Sequence, residues 1–134
     1  MNSEILITID PLPSPLHEWS RSAGAAVDFW GVVRAQENGQ EISGIEYEAH
    51  QAMAQHQLEA IANKARADFN LEDVILRHRI GFVAVGEGSL FLRVTSAHRS
   101  AAFEASQWIV AELKQRVPIW KRPLFVRQEQ AATP

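Results

Sequence analysis

Fixed positive charge gathers at element ends in this sequence, and the chemistry such charge supports is the holding of anions. Arg34 closes an apolar run, and His98-Arg99 comes directly before a helical stretch. Lys114 and Arg116 fall in the last turns of that stretch, and Lys121-Arg122 follows Pro118-Ile119-Trp120. Taken singly, each has an ordinary use: a lysine in a helix's last turn complements the dipole, and an arginine at a strand end is solvated. His98-Arg99-Ser100 differs, because a helix start offers unpaired N–H groups and partial positive charge, so basic side chains beside it make an anion pocket. Arg99 and Lys114 are fifteen residues apart, which at about 1.5 Å per helical residue is about 22 Å. One protomer cannot bring both to one small substrate. Either they serve two sites, or a second copy brings its helix N-terminus to the helix C-terminus of the first, which predicts a two-fold homodimer with composite sites.

Other chemistries are absent from the residue types themselves. The 134 residues include no cysteine, so disulfides, thiolate metal sites, thiol nucleophiles and iron–sulfur clusters are excluded. Any sulfur chemistry must use sulfur brought from outside. No Gly-x-Ser-x-Gly or His-Glu-x-x-His occurs, and His50 and His56 are not at the i, i+4 spacing of a helical metal pair. No metal site and no cofactor is expected. Gly86-Glu87-Gly88 lacks the third glycine of a dinucleotide loop and leads into a strand, so it reads as a turn. The net charge of −3, from 13 basic and 16 acidic residues, gives no general pull toward nucleic acid or anionic membrane.

These residues need elements to position them. Residues 4–9 are β-branched and stop at Asp10-Pro11, with Pro13 and Pro15 following, which predicts a short first strand and a turn. One helical turn is expected over 16–22. Gly24 to Arg34 reads as a longer strand, and Ile42 to His50 alternates Ile45, Tyr47 and Ala49 with Glu46, Glu48 and His50 as a half-buried strand does. Asn38-Gly39 between them signals a turn, so these two strands are expected to pair as a hairpin. Met53, Leu58, Ile61, Ala62, Ala65 and Phe69 then fall on one helical face over 51–69. Strands are predicted at 73–81 and 89–97, then a second helix from Ser100, its plausible N-cap, to about Val117, and a last strand at 124–128. In that helix Ala102, Ala105, Ile109 and Leu113 form the inner stripe; Trp108 lies off it, which suggests burial on two sides. Trp30, Trp108 and Trp120 read as core or interface packing.

Strands in hairpins interrupted by two helices predict an α+β fold, a mostly antiparallel sheet with two main helices packed on one face. Residues 1–134 read as one domain. No apolar run is long enough for a membrane span and the N-terminus lacks a secretory pattern, so a cytoplasmic protein is expected.

The ordered set Gly31-Val32-Val33-Arg34, Asn38-Gly39, Ile45 to His50 through Met53, His78-Arg79-Ile80-Gly81, Val85-Gly86-Glu87, Val94 to Arg99, Ala102 to Ala105, Leu113-Lys114 and Pro118-Ile119-Trp120-Lys121 resembles the large, catalytic subunit of molybdopterin synthase. The resemblance runs from about Gly24 to Arg122. It implies an α/β hammerhead-type fold and a central homodimer within a heterotetramer. It also implies a small ubiquitin-like sulfur-carrier subunit whose C-terminal Gly-Gly thiocarboxylate delivers sulfur to cyclic pyranopterin monophosphate, building the dithiolene of molybdopterin.

The essential lysines of the family match Lys114 and Lys121, and its anion-binding residues match Arg34, His98 and Arg99, the last two reaching the site from the neighbouring protomer. A buried lysine among other cations is pushed toward neutrality, which suits proton transfer or contact with an acyl carbon. Lys114 is accordingly assigned as principal catalytic group. Lys121 orients the pterin and stabilises charge, and Arg34, His98 and Arg99 hold the cyclic phosphate. The family continues past its Trp-Lys segment with an acidic residue and a longer tail, where this sequence has Arg122-Pro123-Leu124-Phe125. That departure keeps a second reading in play, a carrier-binding scaffold subunit with little or no turnover.

Overall fold

The computed structural model describes residues 2–126. In chain order the elements are β1 (Asn2–Thr8), β2 (Ala25–Val32), β3 (Gln36–Glu37), β4 (Gln40–Ala49), α1 (Gln51–Phe69), β5 (Asp73–Arg79), β6 (Gly81–Ala84), β7 (Gly88–Ser96), α2 (Arg99–Arg116) and β8 (Ile119–Phe125). The α+β expectation is borne out. One sheet runs β1-β5-β7-β2, and a second runs β3-β4-β6 with β8 also paired to β4. The pairing is antiparallel throughout except for β1 with β5, which is parallel.

Both helices cover one face of the first sheet. Ala54, Leu58, Ile61, Ala62 and Ala65 of α1 and Ala102, Ala105, Ile109 and Leu113 of α2 bury against Val74, Leu76, Leu92 and Val94. The stripe read for α2 is the one observed. In α1, Met53 turns outward and Ala54 takes the inner place. His50 caps α1, its Nδ1 accepting the Met53 N–H at 3.2 Å, and Asn70 ends it in the left-handed region at φ 55°. Four smaller side chains, Val33, Ile42, Ile45 and Val83, form the second sheet's own core.

Four expectations are corrected. The strand at 24–34 does not pair with the one at 42–50; β2 lies against β7, with Asp28 opposite Arg93, and the Asn38-Gly39 turn joins β4 only to the two residues of β3. The cause is long-range: Arg93, 4% exposed, is held by both Asp28 oxygens at 2.7 and 2.8 Å. Second, 16–22 forms no helical turn. That segment lies along the sheet's open face, where Arg93 Nη1 donates to the Leu16 carbonyl and the guanidinium sits 5.1 Å from the Trp19 ring. Third, Gly81 at φ 81° breaks the predicted 73–81 strand and sends β6 into the second sheet. Fourth, the last strand begins at Ile119, and Pro123 is tolerated because β8 lies at the edge of its sheet; positions 127–128 of the predicted strand are outside the described residues. The turn reading of Gly86 to Gly88 holds, with Gly86 at φ 88° and Glu87 Oε1 accepting the Ala84 N–H at 3.0 Å. No helix among the described residues is long and apolar enough to cross a membrane.

Candidate active site

A cavity of about 370 Å³ opens where the two sheets and the end of α2 meet. Its walls come from Phe29, Gly31 and Val32 of β2, Leu90 of β7, Leu113 of α2, and Val117 and Ile119. Two lysines reach it. Lys114 arrives from the last turn of α2, and Lys121 from β8, where it stands opposite Tyr47 of β4. Pro118 lies between helix and strand, so the chain reverses there and the lysines approach from two elements. Lys114 is exposed. The expectation of a buried lysine is therefore corrected for the single chain.

The remaining basic residues are placed unequally. Arg34 lies just past β2 with a side chain 82% exposed, and it does not line the cavity. Glu37 connects it to the site: its carboxylate is 4.0 Å from Arg34 Nε and 3.8 Å from Lys121 Nζ. His98 and Arg99 are exposed at the other end of α2. One chain thus gathers Lys114 and Lys121, keeps Arg34 at the margin and leaves His98 and Arg99 about a helix length away. His98, not Ser100, is the N-cap of α2, and its side chain makes no capping hydrogen bond. Trp120 is 60% exposed on β8, so of the core and interface readings the core one is corrected for it, whereas Trp108 packs on Phe69 at 6.1 Å between ring centres. Among the described residues no group of acidic or histidine side chains could hold a metal.

The inner end of the cavity was not read from the sequence. His78, 6% exposed, lies there beside Tyr47, their rings edge to face at 5.4 Å. Its Nδ1 is 2.7 Å from the Arg79 carbonyl, and burial lowers its pKa, opposed by that hydrogen bond. Tyr47 Oη donates to Ser89 Oγ at 3.2 Å, and Ser89 Oγ donates to the Gly31 carbonyl at 3.4 Å. Tyr47 and His78 stand inside two of the motif segments and alternate inward on their strands, which does not distinguish a core position from a cavity floor; nothing singled out Ser89, which shares the β7 face of Phe91 and Arg93, opposite Leu90, Leu92 and Val94.

A family model described as MoaE protein matches residues 8–116 of this chain. The chain belongs to the MoaE family. The molybdopterin synthase catalytic subunit of Thermoplasma volcanium is 43% identical over 103 residues, 77% of this chain and 75% of that protein. The MoaE fold here overlays the crystal structure of molybdopterin synthase from Staphylococcus aureus with a TM-score of 0.83 and 29% identity, covering 91% of this chain and 90% of that one. It also overlays a chain from a complex of subunits 1 and 2 of molybdopterin-converting factor from Helicobacter pylori, with a TM-score of 0.69 and 20% identity, covering 94% and 90%. At that identity the likeness is one of fold. The family resemblance read from the motifs is borne out, and the cavity with its two lysines is set within a MoaE fold.

Proposed function

We propose that this chain is the catalytic subunit of a molybdopterin synthase, transferring sulfur from a thiocarboxylated small carrier to cyclic pyranopterin monophosphate. The observation that carries the reading is the convergence of Lys114 and Lys121, from a helix end and a strand, on one apolar-walled cavity in a MoaE fold. Two cations at the mouth of such a cavity neutralise an arriving thiocarboxylate and the charge that develops as sulfur adds. Lys114 acts at the reacting carbons, and Lys121 orients the pterin. Arg34, joined to Lys121 through Glu37, and His98 and Arg99 of a second copy hold the cyclic phosphate.

The exposed face of α2 supports the second copy. Phe103, Gln107, Val110 and Lys114 line a groove with Phe29, and Phe103 is 60% exposed. A second α2 running antiparallel across a two-fold axis near Gln107 sets its Arg99 opposite Lys114 and its Phe103 opposite Val110. The uncapped N–H groups after His98 then face the anion. The carrier is a ubiquitin-like protein with a C-terminal Gly-Gly, seated at each end of that dimer. The named relatives are molybdopterin synthase catalytic subunits, and the Helicobacter pylori protein is found with a second subunit.

The test is dithiolene formation by the purified chain with thiocarboxylated carrier and substrate. Turnover by the wild type, abolished in Lys114→Ala with an unchanged melting curve, is the expected result. Carrier binding without product, beside an active control synthase, would instead establish a scaffold subunit.

A further inference from the structure

The polar groups of the cavity are sorted by depth. Lys114 and Lys121 are exposed at the mouth, whereas His78 and Ser89 are buried. The inner hydrogen-bonding roles follow from the partners. The Arg79 carbonyl has no proton, so His78 Nδ1 must donate to it, and the neutral ring then carries its lone pair on Nε2. The Gly31 carbonyl likewise obliges Ser89 to donate, and Ser89 can then only accept from Tyr47. Every inner proton is committed to protein oxygen. The remaining capacity of His78 Nε2 and Tyr47 Oη is to accept, and neither atom has another partner among the described residues.

We infer that His78 and Tyr47 form a donor-reading floor that positions the pterin, accepting hydrogen bonds from the N–H edge of its 2-amino-4-oxo ring while the phosphate stays at the lysine mouth. The proposal rests on the substrate reading above and adds residues and an orientation to it. Polarity selects this ligand over a protein tail. A tail that ends in a carboxylate or thiocarboxylate enters terminus first, so it would carry its anion toward lone pairs and leave its N–H groups beside the lysines. A pterin phosphate entering ring first meets acceptors with donors and cations with its anion. A buried acceptor left without a donor also rejects analogues that lack the N–H groups, because it loses water without replacement.

The experiment titrates the full chain with 6-carboxypterin, a fluorescent pterin with its anion remote from the N–H edge, and separately with a peptide ending in Gly-Gly. The amide of His78→Asn reaches only to the place of Nδ1, so it keeps the bond to Arg79 and removes the inner acceptor. His78→Gln can set an oxygen where Nε2 was. Affinity for the pterin should fall about tenfold in His78→Asn, a loss typical of one buried hydrogen bond, and return to within about threefold of wild type in His78→Gln. Peptide affinity should hold in both. Wild-type pterin affinity in His78→Asn, no recovery in His78→Gln, or a loss confined to the peptide would each overturn the inference. If His78→Asn fails to fold, Tyr47→Phe removes one acceptor and keeps the ring against His78. A several-fold loss of pterin affinity is then expected, and an unchanged affinity refutes the floor. Dithiolene formation by the wild type is scored separately, so failure of the floor and failure of the sulfur-transfer reading remain distinct results.

Discussion

His78 couples the fold around the cavity to pH through stability. Its ring is buried, and desolvation holds its folded pKa below the ordinary 6.5. Between those two values the unfolded chain binds a proton that the folded chain refuses. The fold therefore has its full stability from this group above about pH 6.5, loses it as pH falls toward the lower folded value, and loses no more beneath that. Urea midpoints measured from pH 7.5 to 5 should drop for the wild type, and His78→Gln should flatten that part of the profile. An identical slope in the variant would mean that another group sets it. At this scale the sequence disclosed the charged residues at the mouth and missed the neutral ones inside. Lys114 and Lys121 stand out by charge as well as by motif; Tyr47 and His78 lie in motif segments too but carry no charge that assigns them a task, Ser89 lies in none, and only the third dimension shows that a space lies beyond them.

At the scale of elements, one long-range ion pair decides which strands meet. Arg93 pairs with Asp28 across β7 and β2, contacts the Leu16 carbonyl and stacks near Trp19 and Phe91. A buried guanidinium deprived of its carboxylate is left with an uncompensated charge. Because Asp28 is 31% exposed, water can partly replace it, and Asp28→Ala should cost about 2–3 kcal/mol rather than the full penalty for a buried pair. Equilibrium unfolding in urea measures this, and a loss below about 0.5 kcal/mol would assign the pair no structural weight. Both helices were legible because their inner faces repeat at helical spacing, α1 from 51 to 69 and α2 through Ala102, Ala105, Ile109 and Leu113. The β2–β4 hairpin was misread because Asn38-Gly39 announces a turn but not the length of what it joins. Its true partner for β2 lies more than fifty residues along, recognised by Asp28 and Arg93, whose relation no local pattern carries. The sheet switch at Gly81 was equally hidden, since one glycine looks alike inside a strand and between two.

For the whole molecule, the proposed composite site makes a prediction that neither chain can satisfy alone. Lys114→Ala and Arg99→Ala should each be inactive as homodimers, but in a mixed dimer one of the two sites recovers both wild-type groups while the other loses both. Random exchange of subunits should therefore restore about a quarter of wild-type dithiolene formation. Absence of recovery after exchange, with mixed dimers confirmed by mass, would place the whole site within one chain.

The parallel pairing of β1 with β5 also governs the order in which the molecule can be completed. Asn2 is matched to Asp73 and Thr8 to Arg79, so during synthesis β1 leaves the ribosome about seventy residues ahead of the strand that will cover its edge. Neither a hairpin nor any other local contact shelters it in the interval, and closing so long a loop is slow. For that period Ile5, Leu6 and Ile7 lack the strand partner they have in the fold, and an unpaired apolar ribbon of this kind is prone to associate with other chains.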